Sequence, residues 1–90
     1  MEKSVHTSEY ARFLVFLREL RKESGMTQVE LAERLDQTQS FVSKCERGER
    51  RLDIIQLRTI CLALGTTLPA FAQKLEQRLP KPKRWQRTRK

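Results

Sequence analysis

The sequence predicts a small all-α domain, a compact bundle of five helices with mobile termini. Five segments space their apolar residues three and four positions apart, which is the period of an amphipathic helix. The three glycines each follow one of these segments, where a left-handed residue commonly ends a helix. No segment shows the Val/Ile/Thr-rich alternation of a strand. Ninety residues suffice for one such domain.

The first predicted helix covers about residues 9–24, with Ser8 as its N-cap. The second covers residues 27–35 and begins with TQVE, a capping box in which Glu30 stands at the third helical position. The apolar stripe of the first helix comprises Tyr10, Phe13, Leu14, Leu17 and Leu20.

The third predicted helix covers about residues 39–47 after the N-cap Thr38. The fourth follows Asp53, with Gln56 at the third position, and the fifth follows Thr67. The apolar stripes of these last two helices comprise Ile54, Leu57, Ile60, Cys61 and Leu64, and then Leu68, Phe71, Ala72, Leu75 and Leu79.

The two ends of the chain lack this periodicity. Residues 1–8 are predicted to be a flexible arm, residues 9–79 the folded domain, and residues 80–90 a disordered basic tail. The net charge is +8, but the last ten residues hold six cations and no acid. Because residues 1–80 then carry only two more cations than acids, the basicity of the chain does not by itself establish nucleic-acid binding.

Several function classes are disfavoured by composition. The sequence contains no apolar run of about 18 residues and no signal-peptide core, so we expect a cytoplasmic protein without a membrane partner. Cys45, Cys61 and the single His6 are too few and too far apart for a metal site, and both cysteines fall on apolar stripes as buried, reduced thiols. No catalytic triad, phosphate-binding loop or carboxylate pair can be assembled, so we expect neither an enzyme nor a bound cofactor.

The second and third helices are predicted to form a helix-turn-helix. Only Asp36, Gln37 and Thr38 separate them, and a connection this short fixes a sharp angle between two short helices. The small Ala32 allows close approach of the partner helix. The outward face of the third helix is polar and contains no acid: Gln39, Ser40, Ser43, Lys44 and Arg47.

The segment TQVELAERLDQTQSFVSKCERGERRLD resembles the lambda-repressor-like (Cro/CI-type, XRE) helix-turn-helix family. The similarity extends over about residues 13–79 and is densest over 27–53. Asp36 departs from the glycine usual in the turn, which implies a small loss of stability without a change of fold. Cys45 departs from a larger core residue, which implies looser packing and some exposure to oxidation.

The resemblance implies a role for each residue of the motif. Base contacts are implied for Gln39, Ser40, Ser43 and Lys44, whose side chains suit base edges in the major groove, while Phe41 suits either core packing or a thymine methyl group. Arg21 and Glu46 match a structural ion pair. Phosphate contacts are implied for Thr27, Gln28, Thr38, Arg47, Arg50 and Arg51, although Arg50 and Arg51 could instead pair with Glu49 and Asp53.

The resemblance implies a sequence-specific transcriptional regulator from a bacterium, phage or mobile element. The expected form is a repressor whose homodimer binds a palindromic operator in double-stranded DNA, with half-sites about 10 bp apart. The alternatives are an antitoxin that also binds a toxin, a restriction–modification controller protein, or an activator that touches RNA polymerase. The predicted dimer interface comprises apolar residues expected to be exposed on helices one and five: Val15, Phe16, Leu68, Phe71, Leu75 and Leu79.

Overall fold

The computed structural model describes residues 7–80, and five helices make up its regular structure. They are α1 (Ser8–Glu23), α2 (Gln28–Leu35), α3 (Gln39–Glu46), α4 (Ile54–Ala63) and α5 (Leu68–Arg78). The prediction of an all-α domain with five helices is therefore confirmed. Residues 81–90 of the predicted tail, which hold its six cations, and residues 1–6 of the predicted N-terminal arm lie outside the described residues.

Each helix begins at a hydroxyl or carboxylate cap. Thr27 and Asp53 each form a complete capping box, with Glu30 and Gln56 respectively, as the sequence predicts. The predicted cap Ser8 is wrong, because Thr7 accepts the hydrogen bond from the Tyr10 backbone N–H and Ser8 is the first residue of α1. The helix therefore begins one residue earlier than predicted, within the stretch assigned to the flexible arm.

The turn between α2 and α3 is made without glycine. Asp36 lies in the left-handed region with φ of 57° and ψ of 44°, the conformation that the three glycines adopt elsewhere. Its backbone N–H donates to the carbonyl oxygen of Glu33, and the following N–H of Gln37 donates to that of Ala32. The short side chain of aspartate tolerates this conformation better than most other side chains do. The turn therefore keeps the left-handed geometry although Asp36 replaces the usual glycine.

An aromatic cluster joins α1 to α5 at the centre of the domain. Phe71 is 1% exposed; its ring stacks on Phe16 at 4.9 Å and meets Phe13 edge-on at 5.9 Å between centroids. Phe16 is 3% exposed. The expectation that Phe16 and Phe71 present free apolar surface is therefore wrong, because the two rings bury each other within one chain.

The remaining core connects α1 to the helix-turn-helix. Leu17 of α1 is buried with Leu31 and Ala32 of α2 and Val42 of α3. Because α1 also packs on α5, and α4 packs on both α2 and α5, the bundle holds α2 and α3 from behind and leaves their polar faces outward.

Both cysteines are free and buried. Burial raises the pKa of the Cys45 and Cys61 thiols, so both stay protonated at neutral pH. A void of about 10 Å³ lies beside Cys45, Val42 and Leu17. The looser packing implied at Cys45 stays a prediction, and the exposure to oxidation implied there is wrong, because Cys45 is 2% exposed.

Among residues 7–80, no single helix has the length and apolar composition needed to cross a bilayer. Helices α4 and α5 meet the length and composition criteria only when taken together, and they are bent by 103° relative to each other.

Candidate nucleic-acid interface

The helix-turn-helix is formed by α2 and α3, which pack closely against each other. Leu31 and Ala32 of α2 and Val42 and Cys45 of α3 are each 2–3% exposed. The opposite side of α3 is open to solvent and carries the residues that the sequence assigns to base edges. Gln39, Ser40 and Lys44 are exposed, and Phe41 and Ser43 are half-buried. One surface thus presents Gln39, Ser40, Ser43 and Lys44 together, whereas Phe41 packs against the core.

A chain of hydrogen bonds joins the N-termini of α2 and α3. The Gln28 Nε2 donates to the Glu46 Oε1 at 2.9 Å, and the Gln39 Nε2 donates to the Gln28 Oε1 at 2.7 Å. Because a carboxylate only accepts, Glu46 fixes which end of the Gln28 amide turns toward it, and Gln28 in turn fixes the Gln39 amide. The Gln39 Oε1 and its second N–H remain available to an adenine edge, which needs one acceptor and one donor.

The predicted ion pair between Arg21 and Glu46 is confirmed, and it anchors this chain of bonds. Arg21 donates from Nε to Oε2 at 2.6 Å and from Nη2 to Oε1 at 3.1 Å. Its Nη1 donates to the Met26 carbonyl oxygen at 2.9 Å, while the Arg18 Nε approaches Glu46 to 3.9 Å from the solvent side. Arg21 and Glu46 are 7% and 3% exposed, so α1 holds the C-terminal end of α3 through a buried pair.

The N-caps Thr27 and Thr38 stand at the exposed starts of α2 and α3. Each hydroxyl oxygen accepts a backbone N–H at 3.1 Å, from Glu30 and Phe41 respectively. The hydroxyl hydrogen stays free to donate to an anion. The positive end of each helix dipole adds to this preference, so both caps have the chemistry of phosphate contacts.

The three arginines that follow α3 lie in three different settings. Arg47 is the C-cap of α3; it donates from Nε and Nη2 to Glu49 at 2.9 and 3.1 Å and from Nη1 to the Ser43 hydroxyl. The Arg50 guanidinium lies 5.0 Å from the centroid of the Phe41 ring, and that of Arg51 lies 5.2 Å from the Tyr10 ring.

Among residues 7–80, neither Arg50 nor Arg51 forms the alternative ion pair with Glu49 or Asp53. Glu49 bonds to Arg47, and the Asp53 side chain accepts the Gln56 backbone N–H at 2.7 Å as the cap of α4. Stacking on an aromatic ring leaves the guanidinium N–H groups of Arg50 and Arg51 available to an anion. Their contact with phosphate stays a prediction. Glu49 joins the site as the partner of Arg47, a pairing that the sequence interpretation missed.

This arrangement, two short helices with one polar outer face and cations after the second, agrees with a family comparison. The helix-turn-helix family model HTH_3 matches residues 17–71, which is more than half of the chain. The chain belongs to the XRE-type helix-turn-helix family. It is accordingly a DNA-binding regulator.

Solved structures of XRE-type domains superpose on most of the chain. An XRE-family-like protein from Pseudomonas syringae pv. tomato is 45% identical, with a TM-score of 0.76 over 86% of this chain and 94% of that one. The restriction–modification controller protein C.Esp1396I, solved as a tetramer with its natural 35-base-pair operator, is 26% identical, with a TM-score of 0.72 over 80% and 95%. The clp gene regulator ClgR from C. glutamicum is 25% identical, with a TM-score of 0.69 over 83% and 96%. No curated protein matches the chain.

Proposed function

We propose that this XRE-family protein is a transcriptional repressor whose α3 reads base edges in the major groove of an operator. The bond between Gln28 and Gln39 carries the proposal, because it presents an oriented amide at the start of α3. A solvated surface helix does not need an amide held in one orientation, whereas bidentate recognition of adenine does need one. Repression follows if the operator overlaps a promoter.

Base-reading and phosphate-binding residues are distributed differently over this surface. Ser40 and Lys44 are exposed on α3 beside Gln39 and supply a hydroxyl and an ammonium group for base acceptors. Thr27 and Thr38 at the helix starts, with Arg50 and Arg51 after α3, surround them with phosphate donors. This division assigns specificity to α3 and general affinity to its surroundings.

Lys44→Ala tests the base-reading role directly. Duplexes selected by the wild-type protein from a random pool supply the operator, and titration of single-base variants of it measures discrimination. We expect the variant to lose about 1–3 kcal/mol on the selected duplex and to stop discriminating at one base pair in each half-site.

The matched control is Arg51→Ala, which also removes one cation but outside α3. It is expected to weaken binding to operator and to random DNA alike. The slope of log K against log salt is expected to fall by the amount that about one phosphate contact contributes. If Lys44→Ala behaves in this uniform way as well, Lys44 contacts phosphate and the base-reading role is wrong. If the wild-type protein enriches no duplex from the pool, the proposed function fails.

We infer a homodimer, with α4 as the surface that a second copy covers. The exposed apolar side chains of α4, here called the α4 patch, are Ile54, Ile55 and Leu62, which are 64%, 67% and 52% exposed. A groove of about 170 Å³ continues the patch from Ile55 to Phe41. Exposed apolar groups clustered in this way are typical of an interface, and the tetramer that C.Esp1396I forms on its operator supports assembly of this domain type on DNA.

The variants Ile55→Lys and Val15→Lys distinguish between two candidate dimer interfaces. Val15 is 52% exposed on α1 and belongs to the interface predicted from the sequence, in which Leu68, Leu75 and Leu79 are half-buried. We expect sedimentation at tens of micromolar to show a wild-type dimer, an Ile55→Lys monomer and a Val15→Lys dimer. A Val15→Lys monomer with an Ile55→Lys dimer supports the surface between α1 and α5 instead, and a wild-type monomer contradicts both.

A restriction–modification controller protein is the second candidate function. The 26–27% identity to C.Esp1396I over about 80% of this chain favours it. Both candidates bind an operator, so the regulated gene distinguishes them: a restriction enzyme beside the operator supports the controller function. Capture of a toxin encoded beside this gene would instead support the antitoxin alternative.

A further inference from the structure

An exposed acid lies among the cations of the DNA-facing surface. Of the two acids in residues 38–52, Glu46 is buried against Arg21, whereas the Glu49 side chain is 52% exposed. Its carboxylate takes two hydrogen bonds from the Arg47 guanidinium at 2.9 and 3.1 Å. Its backbone N–H donates to the Lys44 carbonyl oxygen at 2.9 Å, which fixes Glu49 at the end of α3.

The Glu49 carboxylate resembles a DNA phosphate in charge and in the way it engages arginine. Both groups offer two oxygens to the fork of a guanidinium, so an arginine that faces one can exchange it for the other. Bonds from Arg47 lower the pKa of Glu49, with Lys44 as a smaller contributor in the same direction. The carboxylate is therefore ionised throughout the neutral range, and the Arg47 fork is occupied before DNA arrives.

We propose that Glu49 is an intramolecular competitor for DNA phosphate, which holds Arg47 in the free protein and must release it when a phosphate takes its place. This inference rests on the proposed binding of DNA, and it makes Glu49 a residue that limits the affinity for DNA. A phosphate that takes the Arg47 guanidinium must first displace its two hydrogen bonds to Glu49, so Glu49 weakens binding to any duplex. Random DNA is affected at least as much as the operator, because no base contact offsets the exchange.

The experiment is a double-mutant cycle with Glu49→Gln and Arg47→Met, read out on a random-sequence 30-base-pair duplex and on the selected operator at about 100 mM salt. We expect Glu49→Gln to tighten binding to both duplexes by roughly two- to fivefold, the range typical of an exposed ion pair. The gain is expected to shrink as salt rises. In the Arg47→Met background, Glu49→Gln is expected to give no gain, because the competition acts through Arg47.

Glu76→Gln is the matched control. It makes the same change of net charge on α5, a helix that packs on α1 and α4, and is expected to leave DNA binding unchanged. Thermal unfolding checks that every variant is folded, and the exposed position of Glu49 predicts a wild-type Tm for Glu49→Gln.

Three results overturn the inference while leaving DNA binding intact. An equal gain from Glu76→Gln assigns the effect to net charge, and an equal gain in the Arg47→Met background assigns it to direct repulsion between Glu49 and DNA. Weaker binding by Glu49→Gln makes Glu49 a residue that positions Arg47 productively. A wild-type protein that binds neither duplex refutes the proposed function itself, and this inference with it.

Discussion

Glu46→Ala is expected to lower the free energy of unfolding by about 3–5 kcal/mol, the cost typical of breaking a buried ion pair on one side. Glu46 is 3% exposed and accepts three hydrogen bonds, two from Arg21 and one from Gln28. Its removal leaves the Arg21 guanidinium buried with only the Met26 carbonyl oxygen as a partner. For a domain of this size the loss is a large share of the total stability.

Urea unfolding followed by circular dichroism measures this effect. Glu49→Ala is the control, because it removes an exposed acid from the same turn and is expected to leave the midpoint near that of the wild type. The double variant Arg21→Met with Glu46→Leu removes both charges and is expected to recover much of the loss. A Glu46→Ala protein as stable as Glu49→Ala would mean that the pair contributes little to the fold.

The same variant has a consequence for DNA binding. Glu46 orients Gln28, and Gln28 orients Gln39, so the amide at the start of α3 loses its fixed position when the carboxylate is removed. Discrimination at the base pair that we propose Gln39 reads is therefore expected to fall even under conditions in which Glu46→Ala is fully folded. The ion pair thus connects the stability of the domain to the specificity that we propose for its surface.

The sequence predicts those parts of the fold that depend on neighbouring residues. Capping by Thr27, Thr38, Asp53 and Thr67 requires only the residues two or three positions away, and all four caps form as predicted. The error at Ser8 arises because Thr7, the true cap, offers the same chemistry one residue earlier.

Contacts between distant residues were predicted less well. Phe16 lies off the main stripe of α1, and only the position of Phe71 on α5 makes it a core residue. The Arg21–Glu46 pair was predicted from the resemblance alone, since spacing within the sequence does not bring residue 21 to residue 46. The bond between Arg47 and Glu49 depends on the path of the backbone through Gly48, which has a φ of 79°, and no pattern in the sequence indicates it.

Phe71→Ala is expected to cost about 3–5 kcal/mol of stability, the range for deletion of a buried aromatic ring. Phe71 is 1% exposed and contacts Phe13 and Phe16 of α1. Its removal leaves a cavity between α1 and α5 and takes from Phe16 the ring that buries one of its faces. The Arg78 guanidinium, which lies 4.4 Å from the centroid of the Phe16 ring, then stacks on a ring that no longer packs against Phe71.

Urea unfolding at several protein concentrations tests this role of Phe71 against the one predicted from the sequence. If Phe71 holds the core of a single chain, the difference between the wild type and Phe71→Ala is the same at every concentration. If Phe71 instead lies between two copies, the wild-type midpoint rises with concentration while that of the variant does not, because association stabilises by mass action. Val29→Ala, which truncates a side chain that is 52% exposed, is the control and is expected to change stability by no more than about 0.5 kcal/mol. We expect the first result, since the two rings that Phe71 contacts belong to its own chain and leave it almost no surface to offer a partner.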